Sequence, residues 1–163
     1  MVVGAGSAIE VVFGRANGTL RAPRSFPGDV WGFDAGDFDG DGHNDIVDGT
    51  PLTFLRGIGD GTLAEGVAIA DLDAKHLIAT DFNGDGTLDL LASPFYPQTG
   101  IHTLLGNGDG TFQTAQFTDM ALTECWPVVA DFNHDRKMDV AATSGQLAIL
   151  LGQGDGTFNR AIY

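Results

Sequence analysis

The motif that decides the fold is DFNGDGTLD at residues 81–89, which an apolar run separates from GNGDGTF at residues 106–112. Both motifs recur in the same order along the chain, and a repeat of this length indicates one supersecondary unit that is used several times. The first recurs as DFDGDGHND at 37–45 and DFNHDRKMD at 131–139, at spacings of 44 and 50 residues, and the second as FGRANGTL at 13–20, RGIGDGTL at 56–63 and GQGDGTF at 152–158.

Short apolar or alternating runs lie between the motifs, as at 140–143 and 147–151 of the last repeat. Runs this short, bounded by Gly and Asp, predict strands rather than helices. Each repeat then has four strands, a to d: the Asp-rich motif joins a to b, and Gly-Asp-Gly-Thr joins c to d as a hairpin, because Asp-Gly tolerates the positive φ of tight turns. We expect strand d at 111–116 in the third repeat and at 157–162 in the last. Four antiparallel strands in about 46 residues are typical of one β-propeller blade, so the predicted class is all-β.

The composition restricts the possible partners. Lys and Arg number 8 against 22 Asp and Glu, giving a net charge of −14. Such a chain repels nucleic acid and anionic membrane surfaces and attracts cations. No apolar run approaches the ~20 residues of a membrane-spanning helix, and Met1 opens without a basic and apolar leader, so we expect any secretion signal to be absent from this chain. We therefore predict neither a nucleic-acid partner nor a membrane partner.

The two motifs resemble the FG-GAP and VCBS repeat family, whose units carry Asp-x-Asn-x-Asp-Gly and then Gly-Asn-Gly-Asp-Gly-Thr-Phe. The resemblance covers nearly the whole chain and is closer to the VCBS-like branch, since only Phe13-Gly14 matches the literal Phe-Gly and no Gly-Ala-Pro occurs. It implies calcium-loop propeller blades like those of integrin α-chain heads and propeller lectins.

The Asp-rich motifs also predict calcium sites from their spacing. Calcium takes six to eight oxygen ligands, which a loop can supply from side chains at positions 1, 3 and 5 and from a backbone carbonyl at position 7. Here an Asp at position 9 closes each site, whereas the flanking helices and the position-12 Glu of an EF-hand are missing. The predicted ligands are Asp37, Asp39, Asp41, His43 (carbonyl) and Asp45; Asp81, Asn83, Asp85, Thr87 (carbonyl) and Asp89; and Asp131, Asn133, Asp135, Lys137 (carbonyl) and Asp139.

We expect the third of these calcium sites to be the weakest. It has Arg136 and His134 where the other two loops have Gly, and an added cation lowers calcium affinity. Magnesium is less well matched, because it prefers to keep several waters. Since calcium reaches millimolar concentrations outside cells, we predict a structural role for the ion and an extracellular or secreted protein.

The repeats predict units at about 1–28, 29–73, 74–122 and 123–163 of one partial propeller. The first unit starts in strand b at Val2-Val3-Gly4, so we expect three complete blades and one blade that lacks its inner strand. A partial ring exposes strand edges. We expect a homo-oligomer, a dimer that completes the ring, with closure of a single chain as four blades as the alternative.

The loops at the opposite end from the calcium loops are the expected ligand site, since function tends to lie on variable loops. They comprise the b–c loop at 93–100 and the segments that precede strand a, such as 118–126. Aromatic faces beside polar groups suit a sugar. The candidate ligand-binding residues are Trp31, His76, Phe95, Tyr96 and Trp126.

Catalytic motifs do not appear in the sequence. The four histidines are scattered, and neither a Gly-x-Ser-x-Gly elbow nor His-Glu-x-x-His occurs. We therefore predict a binding module rather than an enzyme. The resemblance to propeller lectins favours carbohydrate as the ligand; the alternatives are a protein–protein adhesion or scaffold module, and the propeller part of a polysaccharide-degrading enzyme.

Overall fold

The computed structural model describes residues 2–4, 8–15, 17–27 and 31–159. These residues form four antiparallel sheets, in each of which consecutive strands are neighbours. No helix long and apolar enough to cross a membrane occurs among them. The strands are β1 (Val2–Gly4), β2 (Ala8–Val11) and β3 (Arg24–Pro27) in blade 1; β4 (Phe33–Gly36), β5 (Asp45–Gly49), β6 (Leu52–Leu55) and β7 (Val67–Ala68) in blade 2; β8 (Ala74–Thr80), β9 (Asp89–Pro94), β10 (Thr99–Leu104) and β11 (Gln116–Thr123) in blade 3; and β12 (Trp126–Ala130), β13 (Asp139–Thr143) and β14 (Leu147–Leu150) in blade 4.

The predicted fold class is confirmed: the protein is all-β and is built of propeller blades in an open arrangement. Blades 2 and 3 each have four strands, and blades 1 and 4 show three strands within the described residues. Of the outer strand predicted for blade 4 at 157–162, residues 157–159 belong to the c–d turn, in which Phe158 bridges Gly152, and residues 160–162 lie outside the described residues. The predicted unit boundaries remain a prediction.

The position of strand d in blade 3 was predicted wrongly. Residues 106–112 form a small hairpin of their own, in which Gly106 bridges Phe112 and the Asn107 N–H donates to the Thr111 carbonyl at 3.0 Å. The Asp109 carboxylate accepts both the N–H and the hydroxyl of Thr111, at 3.0 and 2.5 Å, which holds the chain in the turn. Strand d therefore begins only at Gln116, as β11.

The hydrophobic core lies between blades rather than within one sheet. Between blades 2 and 3, Val47 and Leu52 pack in one cluster with Leu90 and Leu104. Each strand alternates its side chains between the sheet's two faces, so every interior blade presents one apolar face to each neighbour. The equivalent cluster between blades 3 and 4 contains Leu91, Ile101, Met120, Val140 and Leu150.

The c–d turns bring neighbouring blades into close contact. Gly110 has φ +80°, and a Cβ at this position would lie 2.7 Å from the ring of Phe54 in the preceding blade. Gly156 is placed in the same way against Leu105, also at 2.7 Å. Glycine at this turn position is therefore needed for both the backbone conformation and the contact between blades.

Candidate functional site

The side chain at position 1 organises each acidic loop. In loop one the Asp37 carboxylate accepts the N–H groups of Gly40 at 2.8 Å, Asp41 at 3.1 Å and Gly42 at 2.9 Å. Asp81 accepts from Gly84 and Gly86 in loop two, and Asp131 from Asp135 and Arg136 in loop three. The chain therefore curls around one carboxylate in all three loops.

The aspartate at position 9 is fully buried in every loop and clamps two turns together. In loop two, the Asp89 Oδ2 accepts the N–H of Phe82 at 2.8 Å and its Oδ1 accepts the N–H of Gly106 at 2.8 Å. Gly106 opens the c–d turn, so this carboxylate joins the a–b loop to the c–d turn at one end of the blade. Asp45 bonds Phe38 and Gly57 in the same way, and Asp139 bonds Phe132 and Gly152.

The carboxylates at positions 5 and 9 of the acidic loops have pKa values shifted in opposite directions. Burial raises the pKa of Asp45 and of Asp89, against the opposing effect of the backbone hydrogen bonds that each accepts. At position 5 the hydrogen bond from the His43 N–H lowers the pKa of Asp41. A cation among these groups would favour the ionised form of the buried carboxylate.

The donor set of loop one fits a hard cation. Asp37, Asp39 and Asp45 place one carboxylate oxygen each within 4.8 Å of one another. A carboxylate oxygen has more than one lone pair, so an oxygen that accepts a backbone N–H can still bind a metal ion. In loops two and three the position-3 residue is an amide: the Asn83 Nδ2 donates to Asp85 at 2.8 Å, and the Asn133 Nδ2 to Asp135 at 3.1 Å. Loops two and three therefore each offer one carboxylate fewer than loop one. The calcium-ligand roles predicted for all three loops remain predictions.

Arg56 reaches into loop one, a contact that the sequence analysis missed. Its Nε lies 2.5 Å from Asp39 and its Nη2 lies 2.6 Å from Asp41. Leu105 and Leu151 hold the equivalent position, one residue before the c–d turn glycine, in blades 3 and 4. An arginine at a repeat position that is otherwise leucine was the sequence signal for this contact. The guanidinium occupies oxygens of two predicted calcium ligands.

Loop three keeps the backbone of the other two loops despite its different sequence. His134 and Arg136 have φ of 64° and 69°, where loop one has Gly40 and Gly42 at 73° and 84°. The left-handed conformation costs a non-glycine residue about 1–2 kcal/mol. The predicted weakness of this loop for calcium remains a prediction, and this conformational cost supports it.

Four of the five candidate ligand residues form two ring contacts near the other end of the blades, and Tyr96 is the fifth. Trp31 meets Phe95 edge-on with ring centroids 6.3 Å apart, and His76 lies 4.1 Å from Trp126. Trp31, Tyr96 and Trp126 remain 58%, 69% and 62% exposed. We name these five residues the aromatic rim.

The inner strands connect the two ring pairs of the aromatic rim. A Cβ on Gly32, next to Trp31, would lie 2.8 Å from the carbonyl oxygens of Ala74 and Lys75, directly before His76. Lys75 also pairs with Glu124 at 3.2 Å, two residues before Trp126. The rim therefore follows the starts of β4, β8 and β12, where charged groups accompany the rings.

Two rim residues belong to strands rather than to the predicted loops. His76 lies within β8, where a register shift between Ala74 and His76 lengthens the strand, and Trp126 is the first residue of β12. The predicted loop at 118–126 is mostly β11. Burial lowers the pKa of His76, whose ring lies tilted by 40° against that of Trp126.

A cavity of about 410 Å³ between blades 1 and 2 is separate from the aromatic rim. Its lining includes Phe13, Phe26 and Leu63 together with residues 42–46 of loop one. None of the five rim residues lines it.

Residues 81–142 match the FG-GAP-like repeat family. The family resemblance inferred from the two motifs is thereby confirmed. The matched residues include loops two and three and the c–d turn of blade 3. Loop one lies outside them but repeats their hydrogen bonds through Asp37 and Asp45.

The chain is also similar to a solved lectin structure from Agrocybe aegerita, which is described as recognising non-reducing terminal N-acetylglucosamine specifically. The TM-score is 0.70 at 19% sequence identity, over 96% of this chain and 46% of the lectin chain. This likeness shows the fold, and the chain spans about half the length of that protein. No curated protein matches the chain.

Proposed function

We propose that this FG-GAP-like chain is a calcium-stabilised propeller module that binds carbohydrate at the aromatic rim. The observation that carries the proposal is the exposure of Trp31 and Trp126 beside strand starts and of Tyr96 in the loop between β9 and β10. Large exposed aromatic patches mark binding surfaces, because leaving such area in water is unfavourable.

The chemistry of the aromatic rim suits a pyranose ring. One face of a sugar is a set of C–H groups, which pack on the negative face of an aromatic ring, while its hydroxyls need polar partners. Lys75 and Glu124 lie beside the rings and offer donors and acceptors. The recognition of N-acetylglucosamine by the lectin of the same fold supports this ligand class and selects the first sugar to test.

We propose that the protein binds rather than catalyses, and that His76 is the histidine of the ligand site. His76 contacts the Trp126 ring, and His102 contacts the Phe117 ring with centroids 5.2 Å apart, both in tilted geometry. Burial lowers the pKa of both residues. His43 and His134 belong to acidic loops, so the four histidines do not converge on one surface.

In this proposal calcium has a structural role in the three acidic loops. The ion would neutralise the carboxylates of each acidic loop and would hold the a–b loop beside the c–d turn. Sites that need abundant calcium suit an extracellular protein, because calcium is millimolar outside cells and far scarcer in the cytosol. We therefore place the protein's work outside the cytoplasm.

The test of the proposal is binding to a glycan array and calorimetry with N-acetylglucosamine-terminated oligosaccharides, both in calcium. Trp31→Ala and Tyr96→Ala should each weaken binding at least about tenfold, a loss of roughly 1.4 kcal/mol. Phe117→Ala is the matched control, since Phe117 is an exposed aromatic residue on the outer strand β11 and should leave affinity unchanged. A blank array, or equal loss in the control, would contradict a sugar site at the rim.

A further inference from the structure

Each acidic loop carries a phenylalanine at position 2, and in blades 2 and 3 this side chain packs against the next blade. Phe38 of blade 2 lies 5.8 Å, centroid to centroid, from Phe112 in the c–d turn of blade 3, and Phe82 of blade 3 lies 5.8 Å from Phe158 in blade 4. These two loop residues are 3% and 4% exposed. Phe132, the same residue in blade 4, is 45% exposed.

The sheet of blade 4 shows the same difference on its outward face. Leu147 lies five residues before the c–d turn glycine, as Leu52 and Ile101 do in blades 2 and 3. Leu52 and Ile101 are 0% exposed beneath the following blade, whereas Leu147 is 59% exposed. Val128 on β12 is also exposed. This face, the blade-4 end, has the side chains of a blade junction without a following blade among the described residues.

Blade 1 carries the other half of such a junction. Leu20 bridges Gly14 in the c–d turn, as Phe112 bridges Gly106 and Phe158 bridges Gly152, and Leu20 is 53% exposed. A Cβ on Gly18 would meet nothing within 4 Å, although the equivalent Gly110 lies against the preceding blade. We name this surface the blade-1 end.

We propose that the blade-4 end of one copy packs on the blade-1 end of a second copy, with Phe132 against Leu20. The contact continues the junctions already present between blades 2 and 3 and between blades 3 and 4. A head-to-tail contact forms a ring if the rotation closes. In this proposal two copies form the ring, and their combined length is close to that of the lectin chain of the same fold, of which one copy covers 46%. This inference does not require the sugar proposal, but the two share a border, because Trp126 pairs with Thr143 and Thr143 with Leu147 on the same face of blade 4.

The test is solution mass by light scattering and sedimentation, in calcium, across a wide range of protein concentration. The expected mass is twice the 17.1 kDa of one chain. Leu147→Glu and Leu20→Glu should each raise the dissociation constant at least about tenfold, because each buries a charge at both junctions. Val67→Glu, at an exposed apolar residue outside both ends, is the control that should keep the two-chain mass.

Mixing distinguishes this head-to-tail ring from other pairings. A ring with one Leu147→Glu copy and one Leu20→Glu copy places both substitutions at one junction and leaves the other native, so the mixture should recover dimer that neither variant forms alone. Circular dichroism of each variant checks that the blades remain folded. A one-chain mass at every concentration, or a Leu20→Glu variant that dimerises normally, would overturn the proposal.

Discussion

At the scale of single residues, Arg56 is a built-in competitor for the cation of loop one. Its guanidinium contacts Asp39 and Asp41, two predicted calcium ligands, and must leave both before an ion can use the same oxygens. Arg56→Leu, which installs the residue found in blades 3 and 4, should tighten calcium binding at loop one several-fold. Calorimetric titration of chelator-treated protein with calcium measures the change.

The control for this substitution is Arg24→Leu. Arg24 is also exposed, but it donates to the carbonyl of Gly61 at 3.0 Å rather than to an acidic loop. It should leave every calcium step unchanged. Equal or weaker affinity in Arg56→Leu would mean that the guanidinium supports the loop instead of competing with the ion.

The roles of individual residues were only partly predictable from the sequence. The spacing of Asp37, Asp39, Asp41 and Asp45 identified an acidic loop, because ligand spacing is a local property. The clamp from Asp45 to the Gly57 N–H and the Arg56 contacts depend on how the c–d turn folds back on the a–b loop. No local pattern encodes that approach. The exposure of the rim aromatics likewise depends on the packing of strand starts from several blades.

At the scale of elements, the c–d turn determines how closely two blades approach. Gly110→Ala adds a methyl group 2.7 Å from the Phe54 ring at a residue with φ +80°. Left-handed strain costs about 1–2 kcal/mol and overpacking about 1–3 kcal/mol more, so we expect a total loss of roughly 2–5 kcal/mol. Urea unfolding followed by circular dichroism measures it.

Gly145→Ala supplies the matched control for the turn. Gly145 has φ +79°, but a Cβ there would meet nothing within 4 Å. Gly145→Ala should lower the free energy of unfolding only by the cost of the left-handed conformation, about 1–2 kcal/mol. If both substitutions cost the same, the contact between Gly110 and Phe54 contributes nothing to blade packing.

The strands themselves were largely predictable, because short runs between Gly and Asp motifs rarely form anything else. The sequence did not predict the start of strand d. Thr111 donates two hydrogen bonds to the Asp109 carboxylate, and these extend the turn into residues whose pattern predicts a strand. His76 was misplaced for a similar reason: the register shift that lengthens β8 depends on pairing with β9. Interstrand pairing overrode local pattern in both places.

At the scale of the whole molecule, stability passes from blade to blade along the chain. Each apolar cluster joins two neighbouring blades, so each blade depends on the packing of the next, as in other repeat proteins. The three buried aspartates hold the turns that make these contacts. Anything that loosens an acidic loop therefore weakens two junctions, and the cation of that loop acts on the stability of the whole chain.

Calcium removal should consequently lower the melting temperature of the entire protein in one transition. An ion present at a hundredfold its dissociation constant adds about 2.7 kcal/mol per site, which corresponds to about 5–10 °C per site for a chain of this size. The double substitution Asp81→Asn and Asp85→Asn should remove the stabilisation by calcium at loop two. The chelator should then lower the melting temperature of this variant by less than that of the unmodified protein. Scanning calorimetry with excess EGTA, with and without added calcium, measures both effects, and magnesium serves as the control ion. An unchanged melting temperature in EGTA would mean that hydrogen bonds within the loops, such as those accepted by Asp37 and Asp89, hold the blades without a metal.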